Sequence, residues 1–433
     1  MIDLQDLRAR PAAYADAAKK KRIAIDITAF LKLDTERLDL LKAVEEMRGK
    51  KNAVSKDVPK MKGAEKEKAI KEMKTLSDEL KTKEDVLAGL EVQWNHLQLL
   101  LPGIPLPNVP VGKDDTENRE VRKEGTLPQF DFEPLDHVTL GEKLDIIDIE
   151  RGVKIAGSRT YFLKGDGARL ELAILMFTLD HLRKKGYTPF IPPLLVHYPA
   201  MMGTSYFPGG EEQAYAVGVQ KEKDGPVEGD GAYLIGTSEV SVTSYHKDEV
   251  LKLEELPKRY CGISPCFRRE AGTYGKDTKG LYRIHQFQKV EQVVLCENDP
   301  AVSAKMHKEI LTNAEEVLLA LKLPYRVVDV CTGDMGRGQV FKNDIETWMP
   351  SRKGYGETHS CSTFHDFQSR RLNIKYEAAD GKKHFVHTLN NTCIASPRIL
   401  IPILEIYQNR DGSVTIPEVL RPYMGGQEKI TAK

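Results

Sequence analysis

Two segments, LDTERLDLLKAVEEMRGKKNAV from Leu33 to Val54 and MKTLSDELKTKEDVLAGLEVQW from Met73 to Trp94, carry apolar residues at every seventh position. The repeating residues are Leu33, Leu40, Met47, Val54, Met73, Leu80, Leu87 and Trp94. A repeat of seven keeps one apolar seam on each helix and lets two helices coil around each other. Pro59 and Gly63 lie between the segments. The pattern predicts an antiparallel helical coiled-coil arm, with a hairpin over residues 29–99 and a turn near 57–65.

The turn of this hairpin is basic. Between Arg48 and Lys74 the chain has ten basic and four acidic residues. A projecting basic rod suits the phosphate backbone of a nucleic acid, because each neutralised phosphate releases a counterion. A solvated helical face is the alternative interpretation, since lysine favours helices. The residues that we consider for nucleic-acid contact are Arg48, Lys50, Lys51, Lys56, Lys60 and Lys62.

The composition of the 433-residue chain restricts the class of protein to which it can belong. It contains 64 Lys+Arg and 64 Asp+Glu, 30% charged and 40% hydrophobic residues, which is typical of a globular protein. No uncharged apolar run is long enough to span a membrane, and the acidic start MIDLQD does not resemble a secretion signal. The six cysteines begin at Cys261 and none is spaced Cys-x-x-Cys. We therefore expect a reducing, cytoplasmic setting.

The segment PGIPLPNVP, residues 102–110, has four prolines and indicates a stiff linker. We place the domain boundary there, with an N-terminal helical arm at 1–110 and a second domain at 111–433. From about Pro134 the chain mixes short β-type runs with helices, without regular alternation. This order predicts an α+β domain with an antiparallel sheet. The clearest amphipathic helix runs from Leu170 to Lys185 and ends at Gly186.

Common nucleotide and metal motifs are missing from the sequence. It has neither G-x-x-x-x-G-K-[ST] nor a G-x-G-x-x-G after a strand. His359, Cys361 and His365 are close in sequence, but structural zinc usually has four ligands in pairs. We therefore expect no zinc.

Three segments of the second domain form a recognisable set. They are GYTPFIPP at 186–193, FRRE at 267–270 followed by RIHQFQKVE at 283–291, and NNTCIASPR at 390–398, which we expect to open a helix. They resemble motifs 1, 2 and 3 of the class II aminoacyl-tRNA synthetases. TSE at 237–239, GDMG at 333–336 and ETHSCS at 357–362 extend the resemblance to seryl-tRNA synthetases of the bacterial type. The resemblance covers nearly the whole chain, including the arm.

The resemblance implies an ATP site. Arg268 would hold the α-phosphate and Arg398 the γ-phosphate, and these arginines with Glu357 form the predicted catalytic set. Phe287 would stack on adenine, and Glu270 would bond its amino group. Arg398 follows Pro397, which we expect in the first turn of a helix. The residues assigned to ATP are Arg268, Arg269, Glu270, Arg283, Ile284, Phe287, Glu357, Thr358, His359, Ser360 and Arg398. Glu357 and Ser360 would provide oxygen ligands to Mg²⁺ carried with ATP.

The resemblance also implies a serine site. Its residues are Thr237, Ser238, Glu239, Arg268, Glu291 and Thr392. Glu291 and Thr392 could hydrogen-bond the substrate hydroxyl, and a site built around a hydroxyl rejects an analogue that lacks it. Threonine, which also carries a hydroxyl, must be excluded because the site lacks room for the larger side chain.

The resemblance implies an ATP-dependent ligase that joins L-serine to tRNA(Ser) through a seryl-adenylate, and serylates tRNA(Sec) as well. The family resemblance at Pro193 implies a homodimer, and the arm would bind tRNA. Three features depart from the family: Ser238 replaces a common Ala, residues 220–231 read as a surface insertion, and Pro402 should kink the helix after Arg398.

Three alternatives are less well supported. Shortened relatives that attach amino acids to carrier proteins lack the long hairpin. A non-catalytic paralogue that binds tRNA or protein would be expected to lose phosphate-binding arginines, and Arg268 and Arg398 are present. A coiled-coil scaffold would not explain the motifs of the second domain.

Overall fold

The computed structural model describes residues 1–218, 231–272 and 279–432. The chain divides into two compact units: Ile2–Pro102, and Gly103–Lys433 together with Met1. The predicted insertion at 220–231 lies outside the described residues except for Gly231.

The N-terminal unit is helical. Its helices are α1 (Leu4–Ala9), α2 (Pro11–Lys20), α3 (Ile27–Asp57) and α4 (Gly63–Leu100), with a 3₁₀ turn at Val58–Lys60. The carboxylate of Asp26 accepts a hydrogen bond from the backbone N–H of Ala29 and caps α3. Helices α3 and α4 pair through Val44, Leu80 and Leu87. The structure confirms the predicted hairpin and its turn.

The buried side chain of Asp34 links the helices at the end of the hairpin opposite its turn. The Asp34 carboxylate accepts a 2.9 Å hydrogen bond from the indole of Trp94 and forms a 2.6 Å ion pair with Arg8. Arg37 lies 3.3 Å from the same carboxylate, and its guanidinium carbon stands 4.3 Å from the centroid of the Trp94 ring. These contacts join α1, α3 and α4 because the carboxylate is almost fully buried and needs partners.

The second unit is built on a sheet of eight strands within the described residues. In chain order, β1 to β8 are Arg119–Glu124, Thr188–Phe190, Lys258–Phe267, Gln286–Cys296, Tyr325–Asp329, Phe341–Met349, Gly354–His365 and His387–Ser396. Their order across the sheet is β1-β5-β6-β7-β8-β4-β3-β2. Neighbouring strands are antiparallel except β2 and β3, which are parallel. The predicted α+β class with an antiparallel sheet is confirmed.

Two of the helices of this unit pack their apolar residues against the central strands. In chain order, α5 to α12 are His137–Lys143, Ile149–Ala156, Asp166–Lys184, Tyr198–Gly203, Glu239–Thr243, Pro300–Ala320, Phe367–Leu372 and Leu400–Ile406. Ile174 of α7 and Ile310 of α10 belong to the main apolar core with Val290 and Leu389 of the central strands. Helix α7 begins at Asp166, four residues before the predicted start at Leu170. The prediction missed the first turn because this turn lacks the large apolar residues from which the helix was predicted.

Shorter elements complete the unit. Its small sheets are formed by Ile147–Asp148 and Phe162–Leu163; by Leu195–His197, Tyr215–Val217 and Ala232–Leu234; by Val250–Lys252, Lys375–Glu377 and Lys383–Phe385; and by Val414–Thr415 and Lys429–Ile430. Its 3₁₀ turns are Asp115–Glu117, Glu211–Gln213, Ser244–His246, Leu253–Glu255, Pro350–Arg352 and Glu418–Met424. Within 1–218, 231–272 and 279–432, no helix combines the length and apolar character needed to cross a bilayer.

Two expectations about the third motif are wrong. The segment 390–396 belongs to strand β8 and does not open a helix, and Pro397 precedes the start of α12 at Leu400 by three residues. The kink expected at Pro402 is also a wrong prediction, because Pro402 lies in the first turn of α12. The backbone N–H groups of a first turn have no partner within the helix, so a proline there breaks no hydrogen bond and causes no kink.

Candidate active site

A cavity opens over the neighbouring central strands β4, β7 and β8. The predicted site residues that line it are Glu239, Arg268, Glu270, Ile284, Phe287, Glu291, Glu357, Thr358, Ser360, Thr392 and Arg398. An adjoining cavity shares Arg268, Glu270, Glu357 and Arg398 and adds Arg283. Residues from three separated sequence motifs therefore meet at one place.

Strand alternation selects which side chains reach the cavity. Successive side chains of a strand point to opposite faces. On β4, Phe287 and Glu291 line the cavity, and so does Lys289 between them. Gln292 points to the opposite face, where its amide donates to the carbonyl of Ile310. The side chains of Phe287, Lys289 and Glu291 therefore form a row along one wall of the cavity.

An irregularity in β7 places two residues three positions apart on the same face of the sheet. The register with β6 passes from Ile345↔His359 to Glu346↔Glu357, so that Thr358 is the extra residue of a bulge. Glu357 and Ser360 consequently both line the cavity. Thr358 also borders it, but its hydroxyl is hydrogen-bonded to the hydroxyl of Thr347 at 2.7 Å.

His359 does not line the cavity. Its imidazole is buried on the other face of β7, where Nδ1 lies 2.8 Å from the hydroxyl of Thr358 and Nε2 lies 3.1 Å from the carbonyl of Cys393. Burial lowers the pKa of His359 to about 4, so the ring is neutral. The His359 side chain is therefore buried within the sheet and held there by these two contacts.

The two predicted phosphate-binding arginines are held by backbone carbonyls. Arg398 donates to the carbonyl of Tyr282 over 3.1 Å and to that of Glu357 over 3.0 Å. Arg268 donates to the carbonyl of Gly236 over 3.3 Å, and its guanidinium carbon lies 5.2 Å from the centroid of the Phe287 ring. Carbonyls orient a guanidinium without neutralising it, so the positive charge stays available to an anion.

Glu357 is the carboxylate between these cations. Desolvation by the surrounding protein would raise its pKa, but the charges of Arg398, Lys342 and Arg268 lower it below the ordinary value. Glu357 is therefore ionised at neutral pH. Its carboxylate and the hydroxyl of Ser360 are oxygen donors of the kind that Mg²⁺ prefers, and both line the cavity.

No group of three or more His, Cys, Asp or Glu side chains that could hold a metal ion occurs in the part of the chain that the structure describes. Oxygens of Glu357 and Ser360 alone would leave an octahedral cation incomplete. A cation here would need further ligands from water or from a bound phosphate.

Glu270 has an unusual backbone. Its φ is +51°, in the left-handed region, and its carboxylate lies 3.6 Å from the guanidinium of Arg283. Such conformations cost free energy and are concentrated at functional sites. The adjacent Arg269 is exposed and does not line either cavity.

The other end of the cavity holds two buried carboxylates. Thr392 donates a 3.3 Å hydrogen bond to Glu291. Glu239 accepts a 2.7 Å hydrogen bond from Gln368 and a 3.3 Å hydrogen bond from the hydroxyl of Tyr206. Burial, reinforced by the neighbouring Glu291, raises the pKa of Glu239 to about 7. This end of the site suits a ligand that combines a cation with a hydroxyl.

Two residues predicted for serine lie behind the cavity wall. The hydroxyl of Thr237 accepts a 2.7 Å hydrogen bond from Lys289 and a 3.2 Å hydrogen bond from the backbone N–H of Glu239. Ser238 donates to the carbonyl of Gly262 over 3.4 Å. A Cβ on Gly262 would stand 2.6 Å from the Ser238 hydroxyl oxygen, so Ser238 packs tightly against β3.

Several cavity residues were not anticipated. They are Tyr206, Leu281, Tyr282, Lys289, Gln339, Ser362, Asn390, Ala395 and Ser396. Alternation along strands could have identified Lys289, Ser362 and Asn390, because each is two positions from a predicted site residue. Tyr206 and Gln339 come from distant segments, and no local pattern marks them.

The predicted nucleic-acid residues lie on the far half of the hairpin. Arg48, Lys50, Lys51 and Lys56 belong to α3, Lys60 ends the 3₁₀ turn, and Lys62 precedes α4. Apart from the half-buried Lys51, these side chains are exposed. Arg48 pairs with Glu84 of α4 at 2.7 Å, and Lys60 pairs with Asp57 at 3.0 Å.

Comparisons with known proteins identify the family of this chain. The family model "Seryl-tRNA synthetase N-terminal domain" matches residues 1–105, and "tRNA synthetase class II core domain (G, H, P, S and T)" matches residues 224–407. The serine–tRNA ligase of Deinococcus radiodurans is 46% identical over 99% of both chains. That of Thermodesulfovibrio yellowstonii is 45% identical over 98% of this chain and 99% of its own.

Solved structures give the same result. The seryl-tRNA synthetase of Pyrococcus horikoshii, crystallised with ATP, superposes with a TM-score of 0.89 at 36% identity and covers 100% of both chains. The cytoplasmic enzyme of Naegleria fowleri, in complex with AMP, has a TM-score of 0.83 at 30% identity over 98% of this chain and 96% of its own. With full-length matches in sequence and in structure, the chain belongs to the seryl-tRNA synthetase family.

Proposed function

We propose that this protein ligates L-serine to tRNA(Ser), using ATP and releasing AMP and pyrophosphate by way of a seryl-adenylate. One observation carries the proposal: a single cavity joins a cationic end, with Arg268 and Arg398, to an end with the buried carboxylates Glu239 and Glu291. The first end suits a triphosphate, and the second suits a small amino acid with a hydroxyl.

The first step needs no general base. The serine carboxylate, already ionised at neutral pH, attacks the α-phosphorus of ATP, and the bond to the bridging oxygen breaks to release pyrophosphate. Arg268 would bind the α-phosphate and Arg398 the γ-phosphate, so that both reactants are aligned and the developing charge is neutralised. Phe287 would stack on adenine, with Glu270 bonded to its amino group. In the second step a hydroxyl of the terminal tRNA ribose attacks the carbonyl carbon, and AMP leaves.

Mg²⁺ bound with ATP would add positive charge against the phosphate oxygens. Glu357 and Ser360 are the residues that would hold it. Glu357 suits this role because its low pKa keeps it ionised.

Serine would be recognised by its ammonium and its hydroxyl. Glu239 would bind the ammonium, and Glu291 with Thr392 would hydrogen-bond the hydroxyl. A substrate without the hydroxyl would leave Glu291 and Thr392 without a ligand to hydrogen-bond, which is costly for buried polar groups.

The helical arm would bind tRNA. Residues 1–110 would form the tRNA-binding domain and residues 111–433 the catalytic domain. The exposed lysines of the hairpin tip could neutralise backbone phosphates. The substrates would be tRNA(Ser) and tRNA(Sec), and the location of the reaction would be the cytoplasm.

The active form would be a homodimer. Ile155 of α6 and Leu172 of α7 are 71% and 62% exposed, and both line one surface groove with Phe162. Ile191, close to Pro193, is 90% exposed. Apolar patches of this kind usually mark interfaces, and a second copy of the chain is the partner that we propose.

The test is ATP–pyrophosphate exchange with each of the twenty amino acids, without tRNA, followed by charging of tRNA(Ser) and tRNA(Sec) transcripts. Exchange with serine alone is the expected result. Exchange with another amino acid would overturn the roles of Glu291 and Thr392. No exchange by folded protein that still binds tRNA would refute the proposed activity.

A further inference from the structure

Lys289 is the buried cation of the amino-acid end of the cavity. It lies on β4, lines the cavity between Phe287 and Glu291, and is only 5% exposed. A lysine ammonium is almost never buried without partners, since removing its charge from water is costly. Its presence at the wall of a ligand cavity therefore needs an explanation.

The contacts of the ammonium link two different segments. It forms an ion pair with the carboxylate of Glu291 on the same strand and donates a 2.7 Å hydrogen bond to the hydroxyl of Thr237. Glu291 also accepts from Thr392 on β8. The carboxylate is thereby held from both sides, by a cation and by a hydroxyl.

The charges make this arrangement necessary. Glu239 and Glu291 are buried near each other, and their repulsion contributes to the raised pKa of Glu239. The positive charge of Lys289 opposes this repulsion, because it lowers the pKa of Glu239. A carboxylate accepts hydrogen bonds, so the position in which Glu291 is held decides which ligand hydrogen it can reach.

We propose that Lys289 is a positioning residue that sets the selectivity for serine: it holds the Glu291 carboxylate in place, so that this carboxylate accepts a hydrogen bond from the substrate hydroxyl. The inference rests on the proposed function and deepens it. Alanine and other amino acids without a hydroxyl would leave this carboxylate without its hydrogen bond, so loss of Lys289 should reduce discrimination more than it reduces chemistry.

The experiment compares Lys289→Met with Lys289→Arg by ATP–pyrophosphate exchange. For Lys289→Met we expect the KM for serine to rise about 10- to 100-fold, the loss of one charge-assisted contact. The KM for ATP should change less than about threefold, and the ratio of kcat/KM for serine over alanine should fall about tenfold or more. Lys289→Arg keeps the charge and should recover part of the selectivity.

A matched control separates this role from general stability. Arg259 pairs with Glu309 at 2.7 Å outside the active-site cavity, so Arg259→Met removes another partly buried cation. It should leave the ratio of serine to alanine unchanged even if it lowers the melting temperature. If Lys289→Met does not fold, Lys289→Gln and Thr237→Val provide the same measurement.

A second measurement tests whether Lys289 acts through Glu291. In a double-mutant cycle, Glu291→Gln should reduce the serine-to-alanine ratio of kcat/KM much less in the Lys289→Met protein than in the parent protein. Additive effects would overturn the inference, and so would an unchanged serine-to-alanine ratio or parallel rises in the KM for serine and for ATP. The parent protein distinguishes the two proposals: if it does not activate serine, the proposed function fails whatever the variants do.

Discussion

Arg398 donates a 3.0 Å hydrogen bond to the backbone carbonyl of Glu357, and this contact joins two motifs that are 41 residues apart in the sequence. The same guanidinium donates to the carbonyl of Tyr282, and its carbon lies 4.4 Å from the centroid of the Tyr282 ring. The arginine is therefore oriented by three contacts before any ligand binds. Preorganisation of this kind is what stabilisation of a charged transition state requires.

Replacing Arg398 with lysine should lower kcat/KM for ATP in pyrophosphate exchange by about 10²- to 10³-fold. A lysine keeps the charge but lacks the planar fork that donates to two carbonyls and still reaches a phosphate. Steady-state exchange kinetics measure this effect. Binding of serine without ATP should be unchanged, and a variant within threefold of the parent would contradict the role of Arg398.

Glu239 should make serine binding depend on pH. Its pKa of about 7 means that the carboxylate is largely protonated at pH 6 and must ionise to bind an ammonium. The KM for serine should therefore rise as pH falls from 8 to 6, by about tenfold for each pH unit well below the pKa. Calorimetry in buffers of different ionisation enthalpy should detect proton release on binding near pH 6.5; no release would contradict this assignment.

The same residue should make stability depend on pH. A carboxyl whose pKa is raised on folding binds more protons in the folded state, so its contribution to stability is lost as pH rises from about 4.5 to about 7. Glu239→Gln should consequently raise the melting temperature at pH 8 and have little effect at pH 4. Thermal unfolding at both pH values measures this difference. An equal effect at both would show that burial does not shift this group.

Asp34 should be important for the stability of the helical arm. Asp34→Ala removes the partner of the Trp94 indole and of two arginines, which leaves buried donors unpaired. We expect a loss of about 2–4 kcal/mol in the unfolding free energy of the arm. Urea titration followed by Trp94 fluorescence, with Trp348 replaced by Phe, measures it. Asp34→Asn retains an acceptor for the indole and should cost less; equal losses would argue against this account.

Removing residues 29–99 should separate the two reactions. Every predicted ATP and serine residue lies in the unit Gly103–Lys433. Pyrophosphate exchange should therefore be retained, whereas charging of tRNA should be lost. The triple variant Lys50→Gln, Lys56→Gln, Lys62→Gln is the milder control and should weaken tRNA binding and its salt dependence. Equal charging by the shortened protein would refute the role of the arm.

Leu172→Asp should dissociate the proposed dimer, because a buried, unpaired carboxylate is costly in an interface. Sedimentation velocity measures the oligomeric state. Leu319 on α10 is 51% exposed and does not line the groove of Leu172, so Leu319→Asp is the matched control. Identical sedimentation of parent and both variants would contradict the assigned interface.

Much of the architecture could be predicted from local patterns. The heptads of Leu40, Met47, Leu80 and Leu87 predicted the hairpin because a coiled coil depends only on which residues share one helix face. The motif segments that line the cavity were also identified, although Pro402 was misjudged. Its effect depends on where α12 begins, and the sequence pattern did not show that start.

The sequence by itself determined the arm, the class of the second domain and the segments that form the site, because these depend on local periodicity and motif order. Only the tertiary structure decided which side chain of each segment faces the cavity. A bulge in β7 brings Glu357 and Ser360 to the cavity and leaves His359 behind the sheet, whereas regular alternation on β4 brings Lys289 beside Glu291. A shift of one residue in strand register exchanges the two faces, and register is set by pairing with strands distant in the chain.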